Sequence, residues 1–129
     1  MSEKAVTNGI QVEVESSFVP EHSDIPGRQF FFSYRIRIQN LSDKTVQLLS
    51  RHWIIIDGNG RTDEIKGPGV VGQQPELAPG GAFEYESFCP LETPAGTMSG
   101  SYEMLNSHNG ERFQAEIPQF FLVEPNHYH

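Results

Sequence analysis

Residues 30–39 read FFFSYRIRIQ, and this stretch decides the fold class. Its even-numbered positions, from Phe30 to Ile38, are apolar, whereas most odd-numbered positions, such as Arg35 and Arg37, are polar. Successive side chains of a β-strand point to opposite faces of the sheet, so this alternation predicts a strand with one buried face and one solvated face.

The same period of two recurs along the chain. Further runs of this kind cover residues 10–15, 45–57, 83–89, 98–104, 113–117 and 120–123. Turn signals such as Asn8-Gly9 and Asn109-Gly110 separate them, and Asp57-Gly58-Asn59-Gly60 predicts a hairpin. No segment of eleven residues keeps the 3.6-residue period of a helix. The sequence therefore predicts an all-β protein, an antiparallel β-sandwich of about seven to eight strands.

The length and charge of the chain exclude some classes of function. The 129 residues fit a single domain, residues 1–129. Nine Lys and Arg against 17 Asp and Glu give a net charge of −8, which argues against a nucleic-acid partner. The first residues lack the pattern of a signal peptide, and no apolar run reaches the length of a membrane span. With one cysteine, Cys89, we expect a cytoplasmic protein that does not act at a membrane.

Residues 67–72 read GPGVVG and match the G-x-G-x-x-G pattern of pyrophosphate-binding loops. Such a loop needs a helix directly after it, and Pro75 and Pro79 argue against one. We therefore expect an ordered loop whose glycines allow unusual backbone angles. A phosphate bound by backbone amides stays open as an alternative.

The residues offer no clear catalytic or metal-binding set. The five histidines lack zinc-site spacing, although His127 and His129 could share a face of an extended tail. The acids of residues 57–64 surround one turn without the spacing of a calcium loop. We expect no cofactor, no metal and no catalytic residue.

Two further groups have structural interpretations. Cys89 follows the apolar parity of its run, so we expect a core thiol. Glu84 and Glu86 share one strand face, as do Glu13 and Glu15, and we expect Arg35 and Arg37 to lie opposite such glutamates and form cross-strand pairs.

Two blocks carry a resemblance to a known family. Residues 48–55 read LLSRHWII and residues 67–75 read GPGVVGQQP. Together with TMSGSYEM at 97–104 and FFL at 120–122, they resemble the ApaG family over nearly the whole chain.

The resemblance implies an immunoglobulin-like sandwich of the fibronectin type III kind. It also implies a genetic link to cobalt resistance and magnesium efflux. Similar domains occur beside an F-box, or in a protein that binds a DNA polymerase subunit, which suggests protein–protein recognition. The family has no established catalytic residues to carry over.

The leading interpretation is a non-enzymatic protein-interaction module of undefined partner, indirectly linked to cobalt and magnesium homeostasis. Trp and Arg dominate interface energies, so the candidate surface combines the Arg-His-Trp block with the glycine-rich segment. Its members are Arg51, His52, Trp53, Gly67, Gly69, Gly72, Gln74 and Pro75. Whether Trp53 lies in the core or the interface stays open at this point.

Three alternatives remain open from the sequence. The first is direct binding of a divalent cation or of a phosphate or nucleotide ligand at the Gly67–Gly72 loop. The second is an enzyme that acts on a nucleotide, which rests on the same loop alone. The third concerns assembly, because an exposed sheet edge could pair with a second copy and form a homodimer.

Overall fold

The structure, a computed structural model, describes residues 2–125 and consists mainly of antiparallel strands. The strands are β1 (Ser2–Thr7), β2 (Ile10–Phe18), β3 (Phe30–Asn40), β4 (Val46–Asp57), β5 (Thr62–Pro68), β6 (Glu76–Leu77), β7 (Ala82–Leu91), β8 (Ala95–Asn106) and β9 (Arg112–Val123). One turn of 3-10 helix covers Pro20–His22. Within residues 2–125, no helix is long and apolar enough to cross a bilayer.

The strands form two sheets. Sheet I has the order β1-β2-β3-β7, and sheet II has the order β5-β4-β8-β9, with β6 also paired to β4. The predicted all-β, antiparallel sandwich is confirmed, as is the hairpin at Asp57, which joins β4 to β5. Nine strands lie within residues 2–125, because the predicted runs at 113–117 and 120–123 form one strand and three strands were not foreseen.

Two of the unforeseen strands, β1 and β5, are largely exposed. Five consecutive residues of β5, Thr62 to Lys66, are exposed on both faces of the strand. β1 also has no buried residue, and β6 has only two residues. Because both faces of β1 and β5 meet solvent, neither strand needs the apolar alternation that marks a half-buried strand.

The core lies between the inward faces of the two sheets. Trp53 of sheet II is only 3% exposed. Its ring centroid lies 5.4 Å from Tyr34 of sheet I and 6.0 Å from Phe120, in edge-to-face geometry. Aromatic pairs in this arrangement add stability beyond the area they bury. The structure therefore places Trp53 in the core, where it joins the two sheets.

A β-bulge at Leu49 changes which residues of β4 face inward. The pairing of β4 with β8 shifts register between Leu48 and Ser50. Before the bulge Leu48 faces the core, and after it Trp53 and Ile55 do. Arg51 shares the inward parity of Trp53, so its guanidinium reaches the edge of the sandwich interior beside Tyr34.

The outer face of sheet I carries exposed ion pairs, together with the stacked rings of Phe31 and Phe88. Arg37 Nη1 lies 2.7 Å from Glu84 Oε1, and Arg35 Nη2 lies 3.7 Å from Glu86 Oε2. These contacts confirm the predicted cross-strand pairs. All four side chains are well exposed, so each pair contributes at most about 1 kcal/mol.

Replacing Trp53 with Ala tests its structural role. The substitution leaves a large cavity between Tyr34 and Phe120, and we expect the free energy of unfolding to fall by about 3–5 kcal/mol. Urea denaturation followed by circular dichroism measures this loss. A loss below about 1 kcal/mol would contradict a core role, since exposed positions rarely cost more.

Candidate functional site

The glycine-rich loop, residues 67–75, reverses direction in a tight two-residue turn. Val70 and Gln73 exchange two backbone hydrogen bonds, each with an N···O distance of 2.8 Å. The central residues, Val71 and Gly72, have φ of +43° and +79°. Two positive φ values in a two-residue connection are the mark of a type I′ turn.

The bulge at Leu49 anchors this loop to β4. The carbonyl of Leu49 accepts hydrogen bonds from the Gly69 amide at 2.8 Å and from Gln74 Nε2 at 2.9 Å. The Leu48 amide donates to the Pro75 carbonyl at 3.0 Å. These bonds fix both arms of the loop on the strand that carries Arg51.

Arg51 holds the loop from the inner side. Its Nη1 donates to the carbonyl oxygens of Pro68 and Gly69, both at 2.9 Å. The guanidinium passes directly over Gly67, where an added Cβ would lie 3.1 Å from Nη1. At Gly69, which has a φ of +63°, an added Cβ would collide with the Gln73 carbonyl oxygen. The two glycines therefore permit the close approach of backbone and guanidinium.

This geometry differs from that of a dinucleotide site. After the turn the chain continues into the short strand β6, and no helix begins there. The amides of Gly69, Val70 and Gln73 already donate to backbone carbonyls. The expectation of an ordered loop that is not followed by a helix is confirmed.

The candidate surface divides into three places. Arg51, Gly67, Gly69, Gln74 and Pro75 lie together on the loop and its anchor, with Gly72 at the tip. Trp53 lies in the core. His52 lies on the opposite face of β4, so the Arg-His-Trp block does not form one continuous surface.

His52 has an unusual polar environment. Its Nε2 atom is buried, has no hydrogen-bond partner among residues 2–125, and lies 3.7 Å from Glu64 Oε1. That distance is too long for a hydrogen bond. Lys66 is the residue paired with His52 on β5.

Val71 is the residue that sequence reasoning missed. It lies at the loop tip with its side chain 54% exposed and adopts a φ of +43°. A β-branched residue in that region is an outlier, because its side chain crowds the backbone. The available signal was the dipeptide Val71-Gly72 at a hairpin position where Asn-Gly is preferred.

The acids of residues 57–64 stabilise a turn. Asp57 Oδ1 accepts hydrogen bonds from the Asn59 amide at 2.9 Å and the Arg61 amide at 3.0 Å. No group of three or more His, Cys, Asp or Glu within residues 2–125 is arranged to hold a metal ion. The pair His127 and His129 lies outside the described residues.

The buried hydroxyl and thiol groups are held neutral. Burial raises the pKa of Cys89 from its ordinary 9.0 to about 11. Burial also raises the pKa of Tyr85 and Tyr102, whose hydroxyl oxygens lie 2.5 Å apart. A neutral thiol is a poor nucleophile, so Cys89 fits the predicted core role.

Comparison with known proteins places this arrangement in context. The ApaG domain family matches residues 20–106, which include Arg51 and the whole glycine-rich loop. ApaG proteins from Methylocella silvestris and Anaeromyxobacter dehalogenans are 52% and 54% identical to this chain over 121 residues. Each match covers 94% of this chain, and they cover 92% and 94% of the respective relative.

A solved structure shows the same fold. The crystal structure of the ApaA protein from Bordetella pertussis matches with a TM-score of 0.87 at 49% identity. The match covers 90% of this chain and 94% of that one. The chain therefore shares its fold with this solved structure.

Alkylation of Cys89 tests the buried thiol. Because the native pKa lies about two units above the unfolded value, we expect iodoacetamide at pH 8.5 to react about a hundredfold more slowly with folded protein than with urea-unfolded protein. Because the native state retains the thiol proton, the raised pKa of Cys89 also affects stability. Its contribution to the free energy of unfolding is complete below pH 9 and is lost as the pH rises towards 11. Equal labelling rates in the two states would show an accessible thiol.

Replacing Arg51 with Ala tests the loop anchor. Hydrogen bonds from a charged donor contribute about 1.5–3 kcal/mol, so we expect the free energy of unfolding to fall by that order. Amide hydrogen exchange should accelerate at Gly69, Val70 and Gln73. The control is Arg35→Ala, which removes an exposed pair and should cost less than about 1 kcal/mol. Unchanged exchange in the loop would show that Arg51 does not hold it.

Proposed function

The chain belongs to the ApaG domain family, and from that premise we propose that it is a non-enzymatic protein-interaction module whose contact surface is the tip of the glycine-rich loop. The interaction is with another protein. The link to cobalt and magnesium homeostasis that the family resemblance implies then passes through that partner, in the cytoplasm.

The observation that carries this proposal is the backbone of Val71. A positive φ at a β-branched residue costs about 1–3 kcal/mol, and Asn in its place would remove most of that cost. Burial of Val71 does not offset this cost fully, since the residue is 54% exposed. An exposed, strained apolar side chain at a loop tip is consistent with a binding contact.

The anchoring of the loop supports the same proposal. Arg51 and Gln74 hold the backbone on either side of the tip with side-chain hydrogen bonds. A loop that is already ordered loses little conformational entropy when it binds. Val71 is thus presented on a rigid support, as interface anchors usually are.

Direct binding of a cation or phosphate has weaker support. Within residues 2–125 no three His, Cys, Asp or Glu side chains are arranged to hold a metal ion, and three amides of the loop already have backbone partners. Calorimetry with magnesium, cobalt and pyrophosphate tests this alternative. Saturable heat from any of them would contradict indirect action.

Site-specific crosslinking tests the proposal. A photoreactive benzoylphenylalanine replaces Val71, or replaces Val6 as a control, because Val6 of β1 is equally exposed at 56%. The variants are illuminated in cells of the organism that encodes the protein. We expect a discrete protein adduct from position 71, and we expect excess protein without the photoreactive group to suppress it. Identical adducts from both positions, or none from position 71, would contradict the proposal.

Val71→Asn separates stability from binding. The substitution creates an Asn-Gly turn and should raise the free energy of unfolding by about 1 kcal/mol. When this variant is added in excess as a competitor without a photoreactive group, it should nevertheless suppress the crosslink less well than the natural protein. A variant that is more stable and competes equally well would show that the apolar tip does not contact the partner.

A further inference from the structure

The two sides of the sandwich differ. On one side the sheets are joined, because Ser16 Oγ of β2 donates to the Phe121 carbonyl of β9 at 2.8 Å. The Glu116 amide of β9 also donates to Thr7 Oγ1 of β1 at 3.1 Å. On the other side lie β7, the edge of sheet I, and β5, the edge of sheet II, which are not paired with each other. One side of the sandwich is therefore closed and the other open.

A continuous cleft occupies the open side. It has a wide end of about 580 Å³ near Pro90, a middle section of about 410 Å³, and a narrow end of about 260 Å³ beneath the glycine-rich loop. Ile55 and Leu91 line both the wide and middle sections. Tyr34 and Trp53 line both the middle section and the narrow end, so the three sections are connected.

The rim of the cleft carries apolar side chains that meet solvent. Ile65 of β5 shares the inward parity of Trp53, lines the middle section and is 45% exposed. Phe88 of β7 is 50% exposed at the rim, where its ring stacks on Phe31 at the outer face of sheet I. Val71 borders the narrow end. The exposed apolar residues of the open side thus follow the cleft and end at the proposed contact surface.

The charges of the cleft favour a basic partner. In the middle section the charged lining residues are Asp63 and Glu64. Asp63 shares the inward parity of Ile65, whereas the Glu64 carboxylate lies beside His52 on the outer face of sheet II. At the wide end Asp57, Asp63 and Glu92 lie with Arg28, Arg61 and His22. Arg61 is 3.8 Å from Asp63, and the pair is exposed, which leaves the carboxylate open to exchange for another cation. Arg51, at the narrow end, already bonds the loop carbonyls.

The strand edges suit an extended peptide. Among the strands of residues 2–125, β7 pairs only with β3 and β5 pairs only with β4, so one edge of each carries backbone groups without a strand partner. Such edges bind added strands through backbone hydrogen bonds, while pockets select alternate side chains. The apolar floor lies between these two edges.

We propose that the cleft between β5 and β7 binds an extended segment of the partner protein that carries apolar side chains beside Lys or Arg. The apolar side chains enter the middle section beside Ile65, and the basic group pairs with Asp63. This inference rests on the proposed function, since it specifies the partner segment recognised beside the loop tip.

The test begins with a random dodecapeptide library displayed on phage and selected on the immobilised full chain. We expect an enriched motif with at least one Lys or Arg next to an aromatic or aliphatic residue. A synthetic peptide of that motif then gives dissociation constants by fluorescence anisotropy. No enrichment, or a motif without a basic residue, would overturn the proposal.

Variants with matched controls locate the binding. We expect Asp63→Asn to raise the dissociation constant about fivefold, and Ile65→Ser to raise it about tenfold. The controls are Glu111→Gln, which makes the same charge change elsewhere, and Val6→Ser on the distant edge of sheet I. Both control variants should bind the peptide with a dissociation constant within about twofold of that of the natural protein. Cleft variants that bind as tightly as the controls would overturn the proposal.

Two further results separate this inference from its premise. If the Val71 crosslink forms normally in both cleft variants, the protein-interaction function stands and the cleft proposal fails. If the peptide binds in the cleft but no Val71 crosslink forms, the loop-tip surface fails and the cleft proposal stands. Light scattering that shows a dimer dissociated by Ile65→Ser would assign the cleft to a second copy and overturn the peptide proposal.

Discussion

The β-bulge at Leu49 is the constraint on which the loop depends. By inserting one residue into β4, it exchanges the inward and outward parity of the strand. Arg51 consequently faces the sandwich interior, where it reaches the carbonyls of Pro68 and Gly69. The carbonyl of Leu49 accepts the Gly69 amide and the Gln74 side chain. A regular strand would place Arg51 on the outer face, away from the loop.

The sequence predicts those parts of the fold that have one buried face. β3 alternates so regularly that its strand, its core face and the cross-strand pairing of Arg35 and Arg37 with glutamates follow from the pattern. β5 could not be predicted in this way, because both of its faces meet solvent. At the site, the glycine-rich loop was identified from its composition. The separation of His52 from Arg51 and Trp53 was not, because no local signal marks the bulge between Leu48 and Ser50.

The difference between the closed and open sides has a physical basis. Unpaired strand edges tend to pair with other copies, and charged residues or proline at the edge prevent this. β5 carries Asp63 and Glu64, and β7 carries Pro90. In a chain with a net charge of −8, two copies that meet along these edges would bring carboxylates together. The features that oppose self-pairing leave the edges open to a partner of opposite charge.

Strain at Val71 and rigidity around it are connected. An unsupported loop would relieve a strained φ by local rearrangement, because nothing would hold the backbone in place. Here the bonds from Arg51 and Gln74 and the exchange between Val70 and Gln73 fix both arms of the turn. A domain of this size is stable by only about 5–15 kcal/mol, so 1–3 kcal/mol at one residue is a substantial fraction. The anchor on β4 lets the fold bear that cost and keeps an apolar side chain in solvent beside the cleft.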